Sequence, residues 1–85
     1  MIIIVSPQAK KQLIKLPKNI QDKTRKQFHF LVNDYRHPSL KISKMKGRGV
    51  FEARIDIHYR FSFVVEDEQI LVLTVGQHDK GLGKK

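Results

Sequence analysis

The sequence predicts an α+β domain in the order β-α-α-β-β-β, built as an antiparallel-rich four-stranded sheet with two helices packed on one face. Three observations carry that prediction: a β-branched apolar run opens the chain, two stretches with helical spacing follow, and the second half alternates with a period of two through a meander. At 85 residues the chain can bury one core but not two, so a single domain is expected over residues 1–79, with 80–85 as a flexible basic tail.

Met1-Ile2-Ile3-Ile4-Val5 reads as a strand buried on both faces. Ser6-Pro7 supplies an N-cap hydroxyl and a proline at the first helical position, and Ala9, Leu13, Ile14 and Leu16 then fall near helical spacing until Pro17 ends the helix. A second helix is expected from Lys18 to about Asp34. Its stripe is Ile20, Thr24, Phe28, Leu31, Val32 and Tyr35, and Lys23, Arg25 and Lys26 lie on the other face. Pro38 disfavours helix at His37, so residues 36–39 read as a loop. Leu40 and Ile42 alternate with Lys41 and Ser43 and read as a strand, followed by a basic turn, Lys46-Gly47-Arg48-Gly49.

From Phe51 the odd positions are apolar and the even ones polar, and the phase resumes in Tyr59-Arg60-Phe61-Ser62-Phe63. A tight reversal around 56–58 therefore places Arg54 and Arg60 on one sheet face. Glu66-Asp67-Glu68-Gln69 is an acidic hairpin turn, and Ile70 to Val75 suits a central strand. Two amphipathic helices cover one face only, which leaves Glu52, Arg54, Arg60 and Ser62 as an open basic platform.

Composition narrows the function. Hydrophobic residues at 40% and charged residues at 29% describe an ordinary globular chain. With no cysteine there is neither a disulfide framework nor a thiolate zinc site, which suits a cytoplasmic protein. The apolar runs are too short for a membrane span or a signal peptide. The formal charge of +9 points to a polyanionic partner. That charge belongs to the first half: residues 1–48 hold 12 Lys or Arg against 2 acids, and residues 49–85 hold 5 against 6.

Arg54 and Arg60 each interrupt a β pattern with a permanent cation able to hold a phosphate through two hydrogen bonds; the alternative is that they pair with Glu52 and Asp56 on a solvated face. His78 sits beside Asp79 just past a central strand, where an imidazole can move a proton to or from a ribose oxygen; alternatively it is an exposed histidine near a frayed tail. Lys41, Lys44, Lys46 and Arg48 form a basic stretch with no acid between Asp34 and Glu52, and phosphate-backbone contact is favoured there over a solvated turn. His37 and His58 have no partner at metal-ligand spacing, and a metal site is not expected. No Walker loop, GxGxxG, GxSxG or HExxH occurs.

Taken in order, Leu16-Pro17, His37-Pro38-Ser39-Leu40, Lys44-Met45-Lys46-Gly47, the block from Phe51 to Phe61 and Val75-Gly76-Gln77-His78-Asp79 resemble the RelE/ParE superfamily of type II toxin-antitoxin toxins. The resemblance covers nearly the whole chain. It implies a RelE-like fold and a small metal-independent endoribonuclease, an mRNA interferase that enters the ribosomal A site and is neutralised by a cognate antitoxin. It implies no cofactor. Arg60 matches the family arginine after the hairpin, Arg54 a basic position on the preceding strand, and His78 the place where the family often carries a catalytic arginine or histidine. The sequence departs from the pattern at Glu52, where some relatives have lysine, and after Gly81, where many have a C-terminal helix and a tyrosine. A gyrase-inhibiting branch shares the fold, so a ParE-like toxin is the alternative, with a non-catalytic RNA-binding module third.

Overall fold

The computed structural model describes residues 1–45 and 49–77; the expected site residues Lys46, Arg48 and His78, and the tail 80–85, lie outside the described residues. The elements are β1 (Ile2–Val5), α1 (Pro7–Ile14), α2 (Lys18–Asn33), a 3₁₀ turn (Pro38–Leu40), β2 (Ser43–Lys44), β3 (Phe51–Arg54), β4 (Tyr59–Glu66) and β5 (Gln69–Gln77). They form one five-stranded sheet in the order β1-β5-β4-β3-β2. Only the β1–β5 pair is parallel, since two helices must carry the chain across before β5 returns beside β1.

Local chemistry sets each boundary. Ser6 caps α1 by accepting from the Ala9 N–H at 3.1 Å, with Pro7 at the first helical position. Pro17 closes that segment, and the Gln21 side-chain amide of α2 donates to the Leu16 carbonyl at 2.9 Å, satisfying a group the helix end leaves open. The β4–β5 register slips between Ser62 and Phe63, in the stretch just past the end of β1. There side chains from the first loop and helix take the backbone groups of β5: Ser6 Oγ donates to the Leu73 carbonyl, and the Val75 N–H donates to Gln12 Oε1 at 2.7 Å. These bonds and the buried Ala9 fix α1 on the sheet.

The core lies between the helices and one sheet face: Ile20 and Leu31 from α2, Leu40 from the 3₁₀ turn, and Ala53, Phe61, Phe63, Ile70, Val72 and Val75 from the strands. Phe28 meets Phe61 edge-on at 5.0 Å. Four expectations change. The sheet has five strands rather than four, because Ser43 and Lys44 pair with Glu52 and Phe51 at its edge. Leu40 is buried in the 3₁₀ turn, not in a strand: Pro38 starts that turn and Lys41, at φ 43°, ends it in the left-handed region, so extension begins two residues later. Finally, β1 is an edge strand with one face open, since Ile2 and Ile4 stay 62% and 40% exposed. Tyr35, past the end of α2, is likewise exposed, and Gln27 takes a buried place in the stripe instead.

Candidate active site on the sheet

The β3–β4 hairpin sets Arg54 directly opposite Arg60, with Gly76 of β5 next in the row. Facing residues of paired strands share a face, so the two guanidinium stems rise side by side as the alternation predicts. Among the described residues neither is in an ion pair; the three ion pairs there are Lys18–Asp22, Arg25–Asp22 and Lys23–Asp56. Pairing with Glu52 or Asp56 is therefore not what this sheet does with its arginines.

Arg60 is held from one side. Its Nη1 donates to the Asp56 carbonyl at 2.7 Å and to the Tyr59 carbonyl at 3.0 Å. Among the described residues its Nε and Nη2 have no protein acceptor, which leaves the other edge of the fork for a ligand. Arg54 is half-buried, its Nε has no partner among the described residues, and its carbonyl accepts from the Gln27 side-chain amide at 2.8 Å. A buried donor without an acceptor costs about 1–3 kcal/mol, and an anion removes that cost.

The turn between them is organised by Asp56. Its Oδ1 accepts from the His58 and Tyr59 N–H groups at 2.9 and 3.1 Å, an Asx turn, and its Oδ2 accepts from Lys23 Nζ at 3.4 Å. Burial pushes this carboxyl up, but those two N–H bonds and Lys23 outweigh it, and it stays ionised below the ordinary carboxylate value. A fixed carboxylate thus shapes the loop whose carbonyls hold Arg60.

Beside the arginine row runs a second row of Glu52, Ser62 and Thr74. Ser62 is buried and shares a 2.6 Å hydrogen bond with Thr74, so the expected open platform is closed on this side. Of the basic stretch, Lys41 follows the 3₁₀ turn beside α2, and Lys44 pairs with Phe51 on the edge strand. The sequence pattern alone passes over Gln27 and treats Asp56 as an ion partner. Gln27 at a core position of the α2 stripe is a signal for a buried hydrogen bond, and an aspartate opening a reversal is one for an Asx turn.

Chemically, two neighbouring cations without an acid partner among the described residues can stabilise an oxyanion or a phosphate that gains charge during reaction. Among the described residues no helix is long and apolar enough to cross a membrane.

The same fold recurs in solved toxin structures. A YoeB/ParE toxin from Agrobacterium tumefaciens superposes with a TM-score of 0.78 at 15% identity, covering 92% of this chain and 99% of that one. The RelE-RelB complex from Pyrococcus horikoshii gives 0.78 at 21% identity, over 93% and 96%. The E. coli RelBE toxin-antitoxin complex gives 0.73 at 19%, over 93% and 98%. No curated protein matches in sequence. The fold class is that of the RelE/ParE toxins. The chain belongs to the family described as the ParE toxin of the type II toxin-antitoxin system parDE, whose model matches residues 3–81.

Proposed function

We propose that this toxin acts as a ribosome-dependent mRNA endonuclease, with Arg60 as its principal catalytic residue. The observation that carries the reading is the Arg54–Arg60 row, two neighbouring cations with no acid partner among the described residues, one of them anchored by backbone carbonyls. In the reaction the ribose 2′-oxygen bonds to the adjacent phosphorus while the bond to the leaving 5′-oxygen breaks. Arg60 and Arg54 stabilise the phosphorane, and His78 is assigned the proton transfer, taking the proton of the 2′-hydroxyl and returning it to the leaving 5′-oxygen. Lys41, Lys44, Lys46 and Arg48 are assigned to phosphates of the RNA, and the cytoplasm is where such a substrate is met. The solved relatives whose descriptions name RelE with RelB support a cognate antitoxin as the second partner.

The test is Arg60→Ala. Losing one donor aimed at a developing oxyanion typically costs about 10²–10³ in rate. The variant should fold, bind antitoxin and lose cleavage of ribosome-bound mRNA by that factor; cleavage at the parent rate by a folded variant sinks the assignment. The ParE description of the matching family favours a second reading, inhibition of gyrase. Induced expression separates the two, since translation arrest marks the nuclease and DNA damage with translation continuing marks the gyrase inhibitor.

A further inference from the structure

A second concentration of positive charge lies on the helix side of the fold, where the middle of α2, the 3₁₀ turn and the end of β3 enclose a cavity of about 440 Å³. Lys23 and Lys26 of α2 and Lys41 line it, three lysines against the single carboxylate of Asp56, with Arg54 at the end of β3 in its wall. That carboxylate is already occupied by Lys23 and by two backbone N–H groups. Among the described residues the cavity therefore has a surplus of positive charge.

Neutral donors complete the wall. The Ser39 N–H donates to His37 Nδ1 at 3.2 Å, so the neutral ring carries its proton on Nε2 and remains a donor there. The His37 ring stacks on Phe30 at 3.8 Å with 12° between planes, which gives the cavity a flat aromatic side. Several cations, an N–H donor and an aromatic wall in a space larger than a lone phosphate needs match a phosphate still attached to its nucleoside. We propose that this cavity holds a backbone phosphate of an RNA strand, as a contact separate from the Arg60 row. The inference rests on the reading that the partner is RNA, but not on cleavage.

The test measures binding of a short single-stranded RNA by fluorescence anisotropy across a salt series, without ribosomes. The full chain is compared with Lys26→Gln/Lys41→Gln, two lysines in no ion pair among the described residues, and with a control that removes two exposed α1 lysines, Lys10→Gln/Lys11→Gln. Circular dichroism checks that each is folded. For every phosphate that is no longer neutralised, the slope of log affinity on log salt should become shallower by about 0.7, so losing the cavity's one phosphate should lower it by about 0.7 while the control changes it by clearly less. Equal loss in both variants means a diffuse field and overturns the site. An unchanged slope in the folded cavity variant also overturns it, including where inorganic phosphate still binds, for the cavity then serves a free anion. Arg60→Ala keeps the two readings apart, because normal cleavage by that variant removes the catalytic assignment and leaves the cavity's salt slope intact.

Discussion

β4 ends in a different kind of turn at each end, and the contrast locates the function. At its start, residues 55–58 are held by side chains: the Asp56 carboxylate binds two backbone N–H groups and Lys23, and the Arg60 guanidinium closes onto the carbonyls of Asp56 and Tyr59. At its end, Asp67 and Glu68 both sit at positive φ, 47° and 63°, as a two-residue type I′ turn demands. Among the described residues, backbone alone ties this second turn to its surroundings, through the Ile2 N–H donating to the Glu68 carbonyl at 3.2 Å. Both turns reverse the same strand. Only the first fixes a cation in place, and only there does the chain commit polar side chains from three separate elements.

The largest effect expected from breaking this contrast is the loss of cleavage in Arg60→Ala. Arg60→Lys sharpens it, since lysine keeps the charge but not the planar fork that holds two carbonyls with one edge and a phosphate with the other. Its cleavage rate should stay well below the parent; full activity would mean that charge alone matters.

Next comes Asp56. Asp56→Ala removes the acceptor for two N–H groups and should destabilise the fold by about 1–2 kcal/mol, read by denaturant unfolding, with a smaller loss of cleavage than Arg60→Ala. Asp56→Asn retains the oxygen acceptor and removes the charge. Because the folded carboxyl titrates below its unfolded value of about 3.9, its ionisation stabilises the fold fully above that pH and the contribution is lost as pH falls through the folded value. The stability gap between parent and Asp56→Asn should therefore be at most about 1 kcal/mol near neutrality, since Lys23 is half exposed, and should vanish in acid. A gap that widens on acidification contradicts the turn's electrostatics.

The turns also show how far the sequence can be read. Alternation about Phe51 to Phe63 is a strong signal because one buried face enforces it, and it places Arg54 opposite Arg60 with no other information. The strand expected from Leu40 to Ser43 starts too early because an apolar residue followed by a polar one fits a 3₁₀ turn as well as a strand, and Pro38 with left-handed Lys41 decides for the turn. Apolar residues at Ile2 and Ile4 suggest two buried faces, yet the number of layers over a strand depends on distant helices, which cover only one side here. The link from Lys23 to Asp56 spans 33 residues and leaves no local trace.

The smallest predicted effect belongs to the second turn. Asp67 and Glu68 adopt a conformation that costs an ordinary side chain about 1–2 kcal/mol, and the type I′ turn prefers glycine at its second central position. Glu68→Gly removes that cost and also separates the like charges of Glu66, Asp67 and Glu68. Glycine's extra freedom in the unfolded chain takes back part of the gain, leaving about 0.5–1 kcal/mol of net stabilisation. For a domain this small that is a rise in Tm of roughly 2–8 °C. Cleavage should be unchanged, because the substituted turn lies at the opposite end of β4 from Arg60 and shares no hydrogen bond with the Asp56 loop. A fall in Tm would show that the Glu68 side chain holds the hairpin, and with it the contrast between a turn tied by side chains and one tied by backbone would disappear.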